Sequence, residues 1–591
     1  MCGIAGIMTR DGSPVAPTRL TPMSRAMAHR GPDGEGLACR DDVGFLHLRL
    51  AIIDLATGDQ PLYGPNGVML IGNGEIYNNV ELRAEMAGTP FRTHSDCEPP
   101  LFVYASLGER FAEKLRGMYA IAIHDPACNR LVLARDPFGI KPLYYAQNAG
   151  EFAFASEPQA LLAAGFGSRT PDAVARAELL QLKFTTGQAT IFPGVFRVLP
   201  GETLVIERGE IVSRHRIAAL PSGAPQKMSL DEAVAALDRA LENSVMVHQR
   251  SDVPFGLFLS GGIDSTAVLA LMARLNERPV VAFTAGFPGT LVADERSEAR
   301  RLAKLVGAEH SEITFDEADF WRMTPRAVAA IDDPTMDYAI LPTYKLAAAA
   351  RGSLKVVLSG EGGDELFAGY SRYRRARRPG WLGGRLPWAN GVFDAVDVLR
   401  PSVTDHWRDG LARAEQSGRA RGRTRLQELQ AADSAEWLPN DLLTKLDRCL
   451  MTNGLEGRTP FLDPVVADIA FRLPDALKTH RRLGKYALRA WLAKAMPQAN
   501  AFAEKKGFDV PVREWIARDG ARLGKLVALQ PGVAEIAEPA KVEALYLQSG
   551  KHVGFALWGL LFYALWHRVH VLGLPVIDDV FDALADTTRA A

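Results

Sequence analysis

The hydrophobic pattern divides the chain into two unlike parts. The first two hundred or so residues carry short apolar runs separated by Gly, Pro, Asn and Asp. The pattern predicts strands at Gly44–Leu50, Gly67–Gly72, Met118–His124 and Arg130–Ala134. Frequent short strands with turn residues between them are typical of a largely β or α+β domain. A Pro/Gly/Ser-rich stretch, Leu220–Lys227, then predicts a linker.

Beyond the linker the pattern alternates between helices and strands. It predicts helices at Asp231–His248 and Ser265–Leu275, and strands at Phe255–Leu259, Val280–Thr284 and Lys355–Leu358. Strands separated by helices indicate βαβ units and a parallel sheet. The remainder is mostly helical, and the polar, Ala-rich end predicts a loose tail. We therefore divide the chain into a domain at 1–215, a linker at 216–230, a domain at 231–575 and a tail at 576–591.

Composition narrows the possible functions. The 68 basic and 69 acidic residues nearly cancel, which disfavours a general nucleic-acid or anionic-membrane binder. Five scattered cysteines without a CxxC pair indicate a reducing compartment rather than a zinc or disulfide framework. The N-terminus does not resemble a secretory signal. The longest apolar run, Val553–Trp566, is short for a membrane span and predicts a buried helix. We expect a cytoplasmic protein.

Cys2 is a candidate nucleophile because of its position. A small second residue permits removal of the initiator Met, and the thiol then shares its residue with a free α-amine. That amine, with an unperturbed pKa of about 8, can act as the adjacent base, directly or through water. A cysteine at position two is by itself more often a residue without chemical function, so the assignment depends on the segments that follow.

Five segments in the first hundred residues support the nucleophile. They are Met1–Gly6 (MCGIAG), His29–Gly34 (HRGPDG), His47–Asp54 (HLRLAIID), Asn73–Asn78 (NGEIYN) and Thr93–Glu98 (THSDCE). Their order and content resemble the class II glutamine amidotransferases, whose fold is the N-terminal-nucleophile αββα sandwich. Hydrolysis of a carboxamide passes through an oxyanion that needs preorganised donors. By resemblance these are the Asn73 side-chain amide and the Gly74 backbone N–H, and the products are glutamate and ammonia.

The same resemblance assigns the residues that bind free glutamine. The α-carboxylate needs a cation, and the Arg49 guanidinium matches a carboxylate bidentately. The α-ammonium needs carboxylates, which Glu75 and Asp96 can supply. Leu50 and Ile53 are further glutamine-binding positions by resemblance. Taken alone, Arg49 or Asp96 would more often form a surface salt bridge.

A strand-to-helix junction at Phe258–Ser265 (FLSGGIDS) predicts a phosphate-binding loop. Small residues let backbone N–H groups approach an anion, and the helix N-terminus adds a favourable dipole. The Lys of a P-loop is missing. The segment instead resembles the SGGxDS loop of the ATP-pyrophosphatases, which cleave ATP between the α- and β-phosphates. The resemblance implies ATP contacts from Phe258, Ser260, Gly261, Gly262, Asp264, Ser265, Ala285, Ser359 and Gly360.

A second loop, Ser359–Tyr370 (SGEGGDELFAGY), also follows a short apolar strand. Its Asp364, together with Asp264, can hold Mg²⁺, because hard oxygen ligands suit this ion. In the asparagine synthetases, the glutamate that matches Glu361 lies where the acyl-adenylate meets ammonia. The lysine that matches Lys485, in a GKYALR segment, stabilises phosphoryl charge. Taken alone, Lys485 would be an exposed helix lysine.

Further segments extend the resemblance to asparagine synthetases over nearly the whole chain. They are Leu438–Arg448, Leu455–Asp463 and Lys505–Pro511. A LEGRTP run replaces the more usual VEVRVP type, which leaves the acceptor pocket less defined. The basic run Ser371–Arg378 is interpreted as a source of positive potential or a solvated face, and no nucleic-acid partner is expected.

The combined prediction is an α+β N-terminal-nucleophile αββα sandwich followed by an α/β ATP-pyrophosphatase domain with a helical C-terminal part. The leading function is asparagine synthesis from aspartate, glutamine and ATP through an acyl-adenylate. The nearest alternative applies the same chemistry to a peptide, a sugar acid or a secondary-metabolite carboxylate. Residues 378–436 either shape such a pocket or form a surface insertion. A non-catalytic scaffold is disfavoured because the whole residue set is retained, and a homodimer is common among similar enzymes.

Overall fold

Two six-stranded antiparallel sheets form the first part of the chain. The computed structural model describes residues 2–292, 294–378, 381, 384, 386–503, 509–548 and 550–586. The strands of the first part are β1 (Gly3–Thr9), β2 (Gly34–Arg40), β3 (Val43–Arg49), β4 (Leu62–Tyr63), β5 (Met69–Ile76), β6 (Gly117–Asp125), β7 (Arg130–Arg135), β8 (Tyr144–Gln147), β9 (Glu151–Ala155), β10 (Val195–Arg197), β11 (Glu202–Glu207) and β12 (Glu210–Arg216). The four strands predicted in this part are confirmed as β3, β5, β6 and β7.

The helices of the first part lie on the outer faces of the two sheets. They are α1 (Thr21–Met27), α2 (Asn79–Glu85), α3 (Pro99–Leu107), α4 (Pro158–Ala163) and α5 (Ala173–Leu182). Successive side chains of a strand face opposite sides, so Ile4 and Met8 of β1 pack between the sheets with Ile71 of β5. Ala5 and Ile7 face the other way and pack in the core that includes α1, α4 and α5. Helices α2 and α3 cover the second sheet. The predicted αββα sandwich is therefore confirmed.

The strand orders bring the predicted glutamine residues together. The first sheet has the order β10-β8-β9-β1-β3-β2, and the second has the order β12-β11-β7-β6-β5-β4. Strand β3 ends at Arg49 beside β1, which follows Cys2 directly. Strand β5 carries Asn73, Gly74 and Glu75 in the facing sheet. The predicted glutamine residues thus lie where the two sheets meet.

The second part is built on a five-stranded parallel sheet with the order β15-β14-β13-β16-β17. Its strands are β13 (Phe255–Phe258), β14 (Val281–Gly286), β15 (Glu309–Thr314), β16 (Val356–Leu358) and β17 (Glu456–Arg458), followed by a hairpin of β18 (Thr479–His480) and β19 (Leu483–Gly484). The predicted βαβ organisation is confirmed. Both predicted phosphate loops leave the carboxyl ends of adjacent strands, β13 and β16, so they meet at one edge of the sheet.

Helices surround this sheet and continue to the end of the described chain. They are α6 (Leu230–His248), α7 (Ile263–Leu275), α8 (Arg296–Leu305), α9 (Glu317–Ala329), α10 (Ile340–Ala350), α11 (Gly363–Leu366), α12 (Ser371–Ala376), α13 (Asp409–Gly418), α14 (Arg425–Ala435), α15 (Thr444–Met451), α16 (Pro464–Arg472), α17 (Asp475–Lys478), α18 (Tyr486–Ala495), α19 (Val512–Arg518), α20 (Gly520–Ala528), α21 (Pro531–Ile536), α22 (Pro539–Tyr546), α23 (Lys551–Trp566) and α24 (Val580–Ala585). Helix α23 contains the long apolar run and is buried. No helix within the described ranges is both long and apolar enough to cross a membrane.

The predicted loose tail is wrong for residues 577–586. Helix α24 buries Val580, Phe581 and Leu584, and the Phe581 ring lies 4.9 Å from that of Trp321. Arg568 forms a 2.6 Å ion pair with Asp586. Although the segment is rich in Ala and polar residues, its few apolar side chains share one helical face, which is enough to fix it to the core.

The predicted linker has no regular structure but is attached to the second part. Leu220 is buried, and the Gln226 N–H donates a 2.8 Å hydrogen bond to the Arg472 carbonyl. The two parts are therefore held together along the connecting segment as well as across their interface.

Within residues 378–436, helix α14 does not fit the second of the two alternatives, a surface insertion, because it contacts the second phosphate loop. The Gln430 side chain donates hydrogen bonds to the carbonyls of Glu365 and Leu366, at 2.6 and 2.7 Å. Arg372, in the basic run of α12, pairs with Asp433 of α14 at 2.8 Å rather than facing solvent alone. Helix α14 therefore packs against the second phosphate loop and binds its backbone through Gln430.

Candidate active sites

Cys2 joins the two sheets of the sandwich. It is buried, and its backbone N–H donates a 3.0 Å hydrogen bond to Oδ1 of Asn73 on β5. Its carbonyl accepts a 3.2 Å hydrogen bond from Nε of Arg30, which belongs to the HRGPDG segment. These contacts fix the backbone of Cys2 on both sides, so the position of its thiol is set by neighbours from two of the other predicted segments.

The predicted oxyanion donors lie beside Cys2. Because Oδ1 of Asn73 faces Cys2, the Nδ2 group of the same amide is fixed in orientation, and it has no hydrogen-bond partner among the described residues. A buried amide donor without a partner is costly, and an oxyanion would satisfy it. At Gly74 a Cβ would lie 2.0 Å from the Met118 carbonyl oxygen, so only Gly fits there.

Burial raises the pKa of the Cys2 thiol above its ordinary value. A hydrogen bond from the Leu50 backbone and the charge of Arg49 act in the opposite direction and favour the thiolate. The predicted glutamine residues Leu50 and Arg49 therefore both influence the nucleophile. The thiol is buried in an environment where a base must accept its proton before it attacks.

Glu75 and Asp96 form a buried pair of carboxylates. Burial, and then the nearby Asp96 charge, raise the pKa of Glu75 well above its ordinary range. Burial also raises the pKa of Asp96 to about 6. The Ile76 N–H donates a 2.7 Å hydrogen bond to Asp96. Oε1 of Glu75 is buried and without a partner in the described part of the chain. An ammonium group bound here would give Oε1 of Glu75 a partner and would favour the charged forms of both carboxylates.

Arg49 lies at the entrance of the same site with a partner of its own. Its guanidinium forms a 2.7 Å ion pair with Asp59, whose side chain is 82% exposed, and donates a 2.5 Å hydrogen bond to the Asp54 carbonyl. Ile53 is half-buried in the same segment. A substrate carboxylate would have to compete with Asp59 for Arg49.

The first phosphate loop is organised by its own hydroxyl groups. The Oγ atoms of Ser260 and Ser265 are 3.0 Å apart, and the Gly262 N–H donates a 3.3 Å hydrogen bond to Ser260. Gly261 has a φ of 72°, in the left-handed region that favours glycine. Helix α7 begins directly after Gly262, so its N-terminal N–H groups face the loop.

The second phosphate loop packs against the first. A Cβ at Gly360 would lie 2.8 Å from Cβ of Asp264, so the two backbones can approach only because Gly360 has no side chain. The buried Ser359 hydroxyl has no partner within the described ranges. Phe258 ends β13, and Ala285 is buried on the adjacent β14. The structure thus gathers all the predicted ATP residues at one edge of the parallel sheet.

Lys485 bridges Asp264 and Asp364 and is not the exposed helix lysine that its local sequence would suggest. Its ammonium is 2.7 Å from Asp364 and also contacts Asp264, and the residue is 2% exposed. Burial opposes the charge on Lys485, but the two carboxylates raise its pKa above the ordinary value. One cation therefore neutralises carboxylates from both phosphate loops.

The two carboxylates fit a Mg²⁺ site that phosphate oxygens would complete. Asp264 and Asp364 come from different loops yet contact the same ammonium, so both can reach a single cation. In the described ranges no group of three or more His, Cys, Asp or Glu side chains is placed to hold a metal. Mg²⁺ commonly binds through one or two carboxylates together with substrate phosphates, and these two residues meet that requirement.

Glu361 has a neighbour to which the sequence gave no role. Lys445 of α15 is buried and lies 3.6 Å from Glu361 and 3.1 Å from Asp337. Burial opposes its charge, but Asp337 and Glu361 raise its pKa. Lys445 belongs to the LPNDLLTKLDR segment quoted above, and a lysine on an otherwise buried helix was the signal that could have identified it.

Arg458 is the second functional candidate that sequence reasoning missed. It is fully buried at the end of β17 and forms a 2.7 Å ion pair with Glu75 of the glutamine site. The LEGRTP segment contains it, but nothing local indicates a partner 383 positions away. The Lys505–Pro511 segment falls largely outside the described residues, because residues 504–508 are not among them.

These arrangements define a class of protein. A buried cysteine with preorganised amide donors in an αββα sandwich is characteristic of N-terminal-nucleophile glutamine amidotransferases, and the second part provides an ATP-pyrophosphatase-type loop pair. Two family models match the chain accordingly: a glutamine amidotransferase domain over residues 1–216 and asparagine synthase over residues 236–568. The chain belongs to the asparagine synthase family.

Individual relatives agree with this assignment. The chain is 31% identical to asparagine synthetase (glutamine-hydrolysing) 1 of Bacillus subtilis, with 97% of each chain covered. It is 29% identical to asparagine synthetase B (glutamine-hydrolysing) of Escherichia coli, with 86% of this chain and 82% of that one covered. The similarity therefore extends across both parts of the molecule.

Proposed function

We propose that the chain is a glutamine-hydrolysing asparagine synthetase. It converts L-aspartate, L-glutamine, ATP and water to L-asparagine, L-glutamate, AMP and pyrophosphate. The observation that carries this proposal is that one chain combines a buried Cys2–Asn73 site with a loop pair that brings Asp264, Asp364 and Lys485 together. Membership of the asparagine synthase family supports it.

The first half of the reaction releases ammonia from glutamine. Arg49 binds the α-carboxylate after displacing Asp59, and Glu75 and Asp96 bind the α-ammonium. The Cys2 thiolate attacks the side-chain carboxamide, and Nδ2 of Asn73 and the Gly74 N–H stabilise the oxyanion. Ammonia leaves and a thioester forms, which water then hydrolyses to glutamate and free thiol.

The second half activates a carboxylate with ATP. The side-chain carboxylate of aspartate attacks the α-phosphorus and pyrophosphate departs, leaving an acyl-adenylate. The backbone N–H groups and hydroxyls of both phosphate loops bind the departing anion, and Lys485 adds positive charge. Asp264 and Asp364 would hold Mg²⁺, which supplies further charge neutralisation on the phosphates when it is bound. Ammonia then attacks the acyl carbon and AMP leaves.

A charged set beside the second loop supports an amino acid as the acceptor. Lys445 can bind an α-carboxylate, while Asp337 and Glu361 can bind an α-ammonium. Such a set suits a small zwitterion better than a sugar acid. The relatives named asparagine synthetases make aspartate the first candidate.

The proposal includes an organisation for the chain. We assign residues 1–215 to the glutaminase, 216–230 to the linker and 231–575 to the synthetase, which the extents of the two matching family models support. Cys2 must remain a free thiol, so we place the reaction in the reducing cytoplasm. The homodimer stays a prediction.

The division of labour is tested with Cys2→Ala. Glutamine-dependent asparagine formation should fall at least about a thousandfold, because the nucleophile is lost. Asparagine formation from ammonium chloride should remain near the wild-type rate. Cys39→Ala, which removes an exposed cysteine, is the matched control and should change neither activity. Equal loss of both activities in Cys2→Ala would contradict separate sites.

The acceptor is tested by measuring pyrophosphate release with ammonia and a panel of carboxylic acids. Aspartate should give the strongest signal, with equimolar asparagine. Lys445→Met should raise the KM for aspartate without changing the KM for glutamine. Release with another acid but none with aspartate would overturn asparagine synthesis as the function.

A further inference from the structure

Arg458 contacts both the proposed glutamine site, through Glu75, and the second phosphate loop, through Ser359. It lies at the end of β17, next to β16, and is completely buried. Four hydrogen bonds hold its guanidinium: to Glu75 at 2.7 Å, to Glu456 at 2.5 Å, and to the carbonyls of His248 and Arg250 at 2.9 and 2.6 Å. Four of the five donors that an arginine possesses are thus in use.

One side of Arg458 faces the proposed ammonium site. Its Nη2 binds Oε2 of Glu75, whereas Oε1 of the same carboxylate is buried and has no partner among the described residues. An α-ammonium that binds Oε1 would share the Glu75 charge with Arg458. Binding of glutamine therefore changes the electrostatic partner of Arg458 directly.

The other side of Arg458 faces the second phosphate loop. Its backbone carbonyl accepts a 2.9 Å hydrogen bond from the Ser359 N–H, the first residue of that loop. Arg458 lies opposite Leu358 in the parallel register of β16 and β17. The same residue therefore holds the loop through its backbone and the glutamine site through its side chain, with no flexible segment between them.

Glu456, a buried residue on the same strand, balances the positive charge of Arg458. Burial opposes ionisation of Glu456, but the charges around it, including Arg458 and Lys141, lower its pKa to about 2. The guanidinium is thus shared between Glu75 of the glutaminase and Glu456 of the synthetase. An ammonium at Glu75 would favour the interaction of Arg458 with Glu456.

We propose that Arg458 is a positioning residue that couples glutamine binding to occupancy of the ATP site. The inference rests on the proposed function and adds to it a route of communication. Coupling between two sites is reciprocal, so ATP and aspartate on one side should change the affinity for glutamine on the other. The contacts of Arg458 with Ser359 on one side and Glu75 on the other transmit this change in affinity.

The test measures the KM for glutamine in glutamate release, with and without ATP plus aspartate. In the wild type the two KM values should differ by at least about fivefold. In Arg458→Gln the ratio should approach one, and in Arg458→Lys, which keeps the charge but not the fork of donors, it should be intermediate. A purely structural role would raise both KM values together and leave their ratio unchanged.

Arg116→Met is the matched control. Arg116 forms a 2.9 Å ion pair across the same interface, with Asp463, but contacts neither phosphate loop nor any proposed glutamine ligand. Its KM ratio should remain that of the wild type. Three results would each overturn the proposal. They are a KM ratio of one in the wild type, a wild-type KM ratio in Arg458→Gln, and a KM ratio in Arg116→Met that falls as far as in Arg458→Gln. If Arg458→Gln does not fold, an unchanged ratio in Arg458→Lys overturns it and a reduced ratio supports it.

Asparagine formation from ammonia is measured on the same preparations. If the wild type makes asparagine but Arg458→Gln keeps the wild-type ratio of glutamine KM values, the proposed function holds and only the coupling through Arg458 is contradicted. If no preparation makes asparagine, the proposed function fails, and the ratio can still be read from glutamate release.

Discussion

Two pairs of carboxylates, one in each part of the molecule, are held in opposite ways. Glu75 and Asp96 lie on or beside β5 of the sandwich, where burial raises the pKa of both. Asp264 and Asp364 lie in loops at the edge of the parallel sheet, and the Lys485 ammonium contacts both. In the first pair one cation, Arg458, contacts Glu75 and leaves Oε1 of that carboxylate without a partner among the described residues, whereas Lys485 contacts both carboxylates of the second pair.

The difference matches what we propose that each pair binds. At the first pair the buried Oε1 of Glu75 has no partner in the described part of the chain, so the α-ammonium of glutamine can bind there without displacing another cation. The ATP site must instead accept polyanionic phosphates, and unneutralised carboxylates there would repel them. Lys485 offsets part of that negative charge until a divalent cation and ATP arrive together. The first site therefore keeps an acceptor oxygen for a cationic group, and the second reduces the repulsion of an anionic ligand.

The largest expected effect comes from replacing Lys485, whose ammonium contacts both Asp264 and Asp364. Lys485→Met should lower pyrophosphate formation about a hundredfold or more with either glutamine or ammonia, because charge stabilisation on the phosphates is lost. The freed carboxylates should also bind Mg²⁺ more strongly. The rise in Tm that Mg²⁺ causes in nucleotide-free protein should therefore be larger in the variant than in the wild type.

The control for this change is Lys494→Met, an exposed lysine on α18, the helix that begins directly after Lys485. It should leave pyrophosphate formation and the Mg²⁺ response unchanged. An unaltered Mg²⁺ response in Lys485→Met would mean that Asp264 and Asp364 do not form the metal site.

An intermediate effect is expected from pH at the first pair. The Asp96 pKa of about 6 means that its carboxyl is charged above pH 6 and neutral below it. The KM for glutamine should therefore rise as pH falls through 6, because the α-ammonium loses a partner. Asp96→Asn should raise the KM about tenfold at pH 7.5, in line with loss of a charge-assisted hydrogen bond, and should flatten this pH dependence. A KM that stays constant from pH 7.5 to 5 in the wild type would contradict the assignment.

The smallest effect should come from Asp59, which would compete with the substrate carboxylate for Arg49. Asp59→Asn removes an exposed ion pair, which is worth about 0.2–1 kcal/mol. The KM for glutamine should fall by up to about fivefold, with no change in the KM for ATP. An increase in the glutamine KM would show that Asp59 orients Arg49 rather than competes for it.

Local sequence was sufficient for the elements and loops that carry the chemistry. The runs around β3, β5, β6 and β7 are short and largely apolar, as strands buried on both faces are. FLSGGIDS joins a strand to a helix with small residues at the turn. Cys2 and Asn73 could be proposed together because five ordered segments resemble one family. Such patterns are local, so each is visible within a short stretch of the sequence.

Long-range partners could not be predicted in the same way. Arg458 and Glu75 are 383 positions apart, and no periodicity links them. Lys445 was visible only as a charge within a segment that the fold buries. The end of the chain failed for another reason: Val580, Phe581 and Leu584 are too few to stand out among Ala and Asp, although they share one face of α24.

The anchored linker has a consequence for how strong the interface needs to be. Because Leu220 and the Gln226–Arg472 hydrogen bond hold the connecting segment against the second part, the two parts remain at a high effective concentration. Contacts between them then need to select an orientation rather than supply binding affinity. Ion pairs such as Arg458–Glu75 and Arg116–Asp463 can then serve to fix the orientation of two parts that the chain already keeps together.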